Sequence, residues 1–216
     1  MTEYPKIQTL WKRDPATKFK TLLRGEWACE EFAYLAANLW EWTEKVDGTN
    51  IRVMWDGERV TFGGKTDRAQ IPSQLVNRLN EMFLPRAGTM ATVFDGPTCL
   101  YGEGYGAKIQ KGGGRYSATP EFVLFDVKVG DWWLRRDDVD DVASKLDLHS
   151  VPVIGQGSLR SLVDYVAVGF QSAWGPFDAE GVVARPLVPL FARNGERVIT
   201  KLKARDFAAP PAEEDS

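Results

Sequence analysis

The chain has 216 residues, enough for one domain or two small ones with a substantial core. Hydrophobic residues make up 44% and charged residues 26%, an ordinary balance for a globular protein, with a formal net charge of −3. That acidity argues against a chain that coats nucleic acid. The single histidine, His149, argues against a Ser-His-Asp triad or a His-rich metal site. The isolated Cys29 and Cys99 offer neither a disulfide framework nor a CxxC zinc site. Chemistry must then rest on Lys, Glu, Asp and Arg. No apolar run approaches the length of a membrane span and the N-terminus lacks a secretory pattern, so the expectation is a cytoplasmic protein without membrane contact.

Residues 1–26 are basic and irregular, with Lys6, Lys12, Arg13, Lys18, Lys20 and Arg24, and read first as a solvated arm, with a nucleic-acid or pyrophosphate contact as the alternative and with Ile7, Leu10 and Trp11 able to pack onto the body. A helix is expected over 30–39, where Phe32, Leu35, Ala36 and Leu39 recur at helical spacing. It leads into Lys45-Val46-Asp47-Gly48, a turn in which Gly48 offers backbone angles that other residues avoid. A strand follows at 49–55, then an Asp56-Gly57 hairpin turn and a returning strand at 59–63. Ser73 is placed as the cap of a helix carrying Leu75, Val76, Leu79, Met82 and Phe83 on one face.

Leu100 to Gly106 reads as a short strand ending in a glycine-rich turn, with Glu103 inside it. The next stretch holds Lys108, Lys111 and Arg115 among glycines, either a phosphate-contacting loop or a mobile surface loop. Residues 121–129 alternate as a strand, with Phe122, Leu124, Asp126 and Lys128 on one face and Val123, Phe125, Val127 and Val129 on the other. Helices are expected over 137–146 and over 158–170, the second capped by Ser158. Glu180 opens the stretch 180–186, and 198–203 reads as a strand on which Lys201 and Lys203 share a face. By residues alone, those two lysines are also what an exposed edge strand would carry. The acidic, Pro- and Ala-rich 208–216 reads as a disordered tail, and no linker divides 1–207.

Five of these stretches stand in one order: Lys45, Glu103, the 121–129 strand, Glu180 and the Lys201/Lys203 pair. Together they resemble the motifs of the covalent nucleotidyltransferases. The string Glu44-Lys45-Val46-Asp47-Gly48-Thr49-Asn50 is similar to that of the RNA ligase 2-like branch. The resemblance implies an α+β fold of two antiparallel sheets with flanking helices and the nucleotide between them.

It implies an ATP-dependent RNA ligase. Lys45 is the nucleophile that takes AMP from ATP, passes it to a 5′-phosphate end, and so allows a 3′-hydroxyl to join. Implied nucleotide contacts are Glu44, Asn50, Lys65 (where relatives carry an arginine, with Arg68 as the alternative), Glu103, Phe125 as the stacking aromatic, Glu180, Lys201 and Lys203. Glu180 is implied to hold Mg²⁺ or Mn²⁺. Lys108, Lys111 and Arg115 are implied contacts to RNA ends or a nicked duplex. Thirteen residues follow Lys203, so the expectation is a catalytic domain alone, with room for an accessory nucleic-acid-binding protein or an oligomer. The alternatives are a DNA ligase or another covalent nucleotidyltransferase, and a catalytically silent nucleotide- or RNA-binding module.

Overall fold

A computed structural model describes residues 3–207. In chain order the strands and helices begin with β1 (Gln8–Thr9), β2 (Trp11–Arg13), β3 (Leu22–Trp27), α1 (Glu30–Tyr34), β4 (Trp40–Glu44), β5 (Thr49–Trp55) and β6 (Val60–Gly63). They continue with α2 (Ser73–Phe83), α3 (Ala87–Val93), β7 (Thr98–Tyr105), β8 (Glu121–Val129), β9 (Trp132–Trp133) and α4 (Arg136–Lys145). The last are β10 (Val153–Gly157), α5 (Leu159–Val168), β11 (Gly181–Pro186) and β12 (Thr200–Lys203).

The chain forms two compact units. One contains the residues up to Pro5 with Val46–Val151; the other contains Lys6–Lys45 with Pro152 onward. The backbone crosses between them after residues 5, 45 and 151, so no single linker marks the division.

The unit of Val46–Val151 is a five-stranded sheet in the order β6-β5-β7-β8-β9, antiparallel throughout. Its apolar face carries Ile51, Val53 and Trp55 from β5, Leu100 from β7, and Phe122, Leu124 and Val127 from β8. Leu75, Leu79 and Phe83 of α2 and Val139, Val142 and Ala143 of α4 cover that face. The spacing of each helical set puts one stripe against the sheet. The cap of α2 is Pro72 rather than Ser73, which is already the first helical residue.

The other unit is a five-stranded sheet in the order β1-β12-β11-β4-β10, with a two-stranded β2-β3 pair beside it in the chain. Here β1 runs parallel to β12, and the remaining neighbours are antiparallel. Its core gathers Leu10, Trp40, Trp42, Val182, Ala184 and Leu202 against Leu159, Leu162 and Val166 of α5.

Three expectations are corrected here. Residues 3–26 are not a loose arm: β1 completes the sheet, and Leu10 and Trp11, which the sequence allowed to pack onto the body, are buried. The helix at 30–39 is only Glu30–Tyr34, with Leu39 exposed, and β4 follows it. Trp40 and Trp42 stand two apart, so both point into one core, a strand period that the preceding Leu35 and Leu39 obscured. β12 is not an edge strand, since β1 and β11 flank it. The expected tail at 208–216 lies outside the described residues.

Candidate active site

β4 sets the geometry of the lysine. Side chains alternate across a strand, so Trp40, Trp42 and Glu44 face the core and Thr43 and Lys45 face the other way. The register then lines up Thr43, Val183 and Lys201 across β4, β11 and β12, with Lys203 two residues further on. Lys45, Lys201 and Lys203 therefore belong to one face of this sheet. Behind Lys201 and Lys203, Thr200 and Leu202 are fully buried. The Lys45 backbone N–H donates to the Gly181 carbonyl at 2.9 Å, which continues the β4–β11 ladder to the lysine itself.

Glu180, the residue before β11, joins the group. Its Oε2 accepts from Lys45 Nζ at 2.5 Å, and its Oε1 accepts from Lys203 Nζ at 2.6 Å. Burial by itself would raise the Glu180 carboxyl above its ordinary value, but the Lys45 and Lys203 ammoniums outweigh it and hold the group below. The next residue, Gly181, has φ 154°, and a Cβ there would stand 2.1 Å from the Leu202 carbonyl oxygen. Only glycine lets β11 and β12 approach closely enough for Glu180 to reach both lysines.

Glu44 is turned away from this group. It is 1% exposed on the core face. Its carboxylate accepts from the Ser172 hydroxyl at 2.6 Å and the Ala173 N–H at 2.7 Å. Burial pushes its pKa up, against the lowering effect of those two hydrogen bonds. The sequence places Glu44 among the nucleotide contacts. In the structure its carboxylate is on the core face, where these two hydrogen bonds tie the end of β4 to Ser172 and Ala173.

The remaining candidates sit on the Val46–Val151 unit, on the face of its sheet away from the apolar core. Asn50 and Glu103 are direct cross-strand partners on β5 and β7. The Asn50 Oδ1 is buried without a hydrogen-bond partner among the described residues, the mark of a polar group kept for a ligand or water. Two residues along on the same face, Arg52 is 1% exposed and is held by the Gly64 carbonyl at 2.9 Å and Asp67 at 2.7 Å. Lys65 is exposed in the turn that carries Gly64 and Asp67.

β8 departs from the expected alternation. Tyr101 pairs with Asp126 and Gly102 with Leu124, so Phe125 is left over as a β-bulge. The bulge flips the later residues. Phe122, Leu124, Val127 and Val129 lie on the core side, while Asp126 and Lys128 lie on the face of Asn50 and Glu103. Phe122 is therefore core, packed edge-to-face on Phe83, and Phe125 is the half-buried ring. Phe125 meets the Tyr4 ring edge-on at 5.1 Å, and the Tyr4 hydroxyl donates to the fully buried Asp126 at 2.8 Å. Tyr101 and Trp133 complete this aromatic group, and Lys128 lies over the Trp133 ring. Tyr4 and Trp133 were not legible as site residues, because one lies in the N-terminal segment and the other on a two-residue strand.

Gly48 does not occupy the positive-φ region. Its requirement is space: a Cβ there would stand 2.3 Å from the Gly104 carbonyl oxygen and 2.8 Å from Glu103 Cγ. The loop with Lys108, Lys111 and Arg115 is folded, not loose. Gln110 donates to the Gly48 carbonyl at 3.2 Å, and Tyr116 is buried against Tyr105 with its hydroxyl 3.4 Å from the Asp47 N–H. The three cations themselves are exposed.

The sequence profile of the RNA ligase family matches residues 38–203. The chain belongs to the RNA ligase family. Solved structures of the Naegleria gruberi RNA ligase have the same fold. A mutant with ATP and Mn is 15% identical at a TM-score of 0.66, covering 96% of this chain and 58% of that one. The enzyme with PPi is 15% identical at 0.65, covering 96% and 59%. Another mutant, with AMP and Mn, is 14% identical at 0.65, covering 96% and 59%. The chain thus spans under three fifths of the length of these relatives. A search of curated proteins finds no match. As a family member, this chain carries the α+β architecture of antiparallel sheets and helices that its motifs predict.

Proposed function

We propose that this chain is the nucleotidyltransferase part of an ATP-dependent RNA ligase, with Lys45 as the nucleophile. The observation that carries this reading is the Lys45–Glu180–Lys203 arrangement, in which one carboxylate orients two ammoniums on a sheet face that also bears Lys201.

In the first step the Lys45 Nζ lone pair forms an N–P bond to the α-phosphorus of ATP, and the P–O bond to pyrophosphate breaks. Lys45 must first lose a proton, which passes to solvent water. Glu180 is the carboxylate in contact with it, but is a weak base while two lysines depress its pKa. Its part in this state is to fix the direction of Nζ. Lys203 and Lys201 bring positive charge to where the α-phosphate gains negative charge in the transition state. A 5′-phosphate oxygen of RNA then attacks the adenylate phosphorus, the N–P bond breaks and Lys45 is regenerated. Last, a 3′-hydroxyl attacks the 5′-phosphorus and AMP leaves. Asn50 and Glu103 suit the ribose, since a carboxylate accepts from hydroxyls. Phe125 offers a ring to the base.

Glu180 is also the residue that would hold Mg²⁺ or Mn²⁺. No group of three or more His, Cys, Asp or Glu side chains converges on a metal position among the described residues. A lone carboxylate is the kind of donor that suits a hard cation which keeps most of its water and completes its shell with phosphate oxygens. When bound, such a cation supplies charge neutralisation on the phosphates.

Incubation with α-labelled ATP and Mg²⁺ tests this reading. The expected result is an acid-labile label on the denatured protein, absent from Lys45→Ala. Label that persists in Lys45→Ala, or a folded wild type that takes none, removes it. Stronger labelling by GTP would point to a capping enzyme, and equal sealing of all-DNA nicks to a DNA ligase.

A further inference from the structure

The unit that holds Lys45 has a second feature. An open cleft of about 910 Å³ is lined by residues of β1, β2, the turn after β2, β12 and the segment that follows β12. Lys6, Lys12, Lys20 and Arg205 line it together with Lys201 and Lys203. The acid in its lining, Asp206, is already paired with Arg13 at 3.1 Å. Lys12 has a loose partner in Glu26 at 3.8 Å, with both side chains more than half exposed. In a chain of net charge −3, this is a local concentration of positive charge that continues directly from the lysines of the candidate active site.

At the rim stands Phe19, 61% exposed. Its φ is +60° and that of Lys18 is +53°, so two successive non-glycine residues sit in the left-handed region. That conformation is unfavourable for a bulky residue. It is nonetheless firmly fixed. The Phe19 N–H donates to the Asp14 carbonyl at 2.9 Å, the Thr17 and Thr21 hydroxyls pair at 2.8 Å, and Arg13 donates to the Lys20 carbonyl at 3.0 Å. The fold thus holds a strained backbone in order to present an aromatic ring to solvent, beside a row of cations. Strain that the surroundings over-determine points to a use.

A cationic groove with an exposed ring at its side is the arrangement that binds single-stranded nucleic acid, phosphates on the cations and a base stacked on the ring. We propose that this cleft binds the backbone of a single RNA strand and delivers it toward Lys201 and Lys203, with Phe19 as a stacking platform. The proposal rests on the RNA ligase reading and names where that enzyme grips its substrate. Pyrophosphate, which shares the phosphate chemistry, would make no use of the ring.

The test uses a fluorescently labelled single-stranded RNA of about ten nucleotides, titrated by anisotropy at several salt concentrations. The informative substitution is Phe19→Asn, because asparagine tolerates the left-handed region and lacks the ring. Loss of one stacked base weakens binding about fivefold to a hundredfold. Phe19→Trp should retain binding. Phe19→Asn should also raise the melting temperature, whereas a ring with a structural role would lower it. The double variant Lys12→Ala/Lys20→Ala should lower the salt slope by about 1.4, two single-strand contacts at about 0.7 each. ATP labelling of Lys45, measured in parallel, should be unchanged in all three.

Unchanged RNA affinity in Phe19→Asn and in the double variant overturns the proposal while intact labelling leaves the ligase reading standing. A wild type that never labels removes the ligase reading by itself. If the double variant loses inhibition of labelling by inorganic pyrophosphate but keeps its RNA affinity, the cleft is a pyrophosphate site and the proposal fails. Equal affinity for a blunt RNA duplex, insensitive to Phe19→Asn, also overturns it.

Discussion

Lys45 Nζ stands 2.5 Å from Glu180 Oε2, although 135 positions separate the two residues in the chain. The contact exists because β4 and β11 are neighbours in register, with Val182 opposite Glu44 and the Lys45 N–H on the Gly181 carbonyl. Lys203 reaches the other oxygen of the same carboxylate from β12. A charge arrangement on three strands thus depends on two strand pairings.

The paired lysines should matter separately. Lys203→Ala removes one of the two ammoniums on Glu180 and one charge facing the phosphates. Lys201→Ala removes a charge from the same face. Each should slow formation of the Lys45 adduct by at least about a hundredfold, the scale of losing one transition-state contact. Folded variants with near-normal rates, checked by circular dichroism and single-turnover labelling, would show that this face does not meet the phosphates.

Glu180 makes a prediction in acid. Its folded pKa lies below the ordinary carboxylate value, so its contribution to stability is fully present above the unfolded value of about 4.3 and is lost as pH falls through the folded value. Glu180→Gln removes that contribution. Thermal melts of the two proteins should differ at neutral pH and draw together as pH falls below the unfolded value of about 4.3. A gap that stays constant from pH 7 to pH 3 would contradict the ion-pair assignment.

Chelation should separate the two roles of Glu180. Excess EDTA should abolish labelling by ATP while leaving the melting temperature unchanged, because Lys45 and Lys203 engage the two oxygens of Glu180. A large drop in melting temperature on chelation would mean that a metal is part of the fold.

Gly48→Ala should cost about 1–3 kcal/mol of stability, since its Cβ would stand 2.3 Å from the Gly104 carbonyl oxygen and the clash is with backbone. It should also displace Glu103, whose Cγ lies 2.8 Å from that Cβ, and raise the KM for ATP. Denaturant titration together with the KM checks both. A variant of wild-type stability would show that β5 and β7 are not so close at this point.

Tyr4→Phe should cost about 1 kcal/mol, the scale of one intramolecular hydrogen bond, because its hydroxyl donates to the fully buried Asp126. Chemical denaturation measures it. No loss would mean that Asp126 is satisfied without Tyr4.

What the sequence determined by itself is local. Periodicity placed the strand at 49–55, a helix after Ser73 and another over 137–146, observed as Ser73–Phe83 and Arg136–Lys145, and the shared face of Lys201 and Lys203, because these follow from side chains within one element. The order of Lys45, Glu103, Glu180 and Lys201/Lys203 was likewise enough to indicate the family. Pairing between distant strands was not legible, and the tertiary structure decided everything that depends on it. β1 beside β12 turned an expected loose arm into part of a sheet and a supposed edge strand into an interior one. The unmatched Phe125 moved Val127 to the core side and Asp126 toward Tyr4, since one extra residue reverses every later side chain. The alternation along β4 put Lys45 in the candidate site and its neighbour Glu44 in the core, where Ser172 and Ala173 claim its carboxylate. Adjacent residues of one motif thus received opposite environments, because a strand has two faces and only its partners determine which of them is buried.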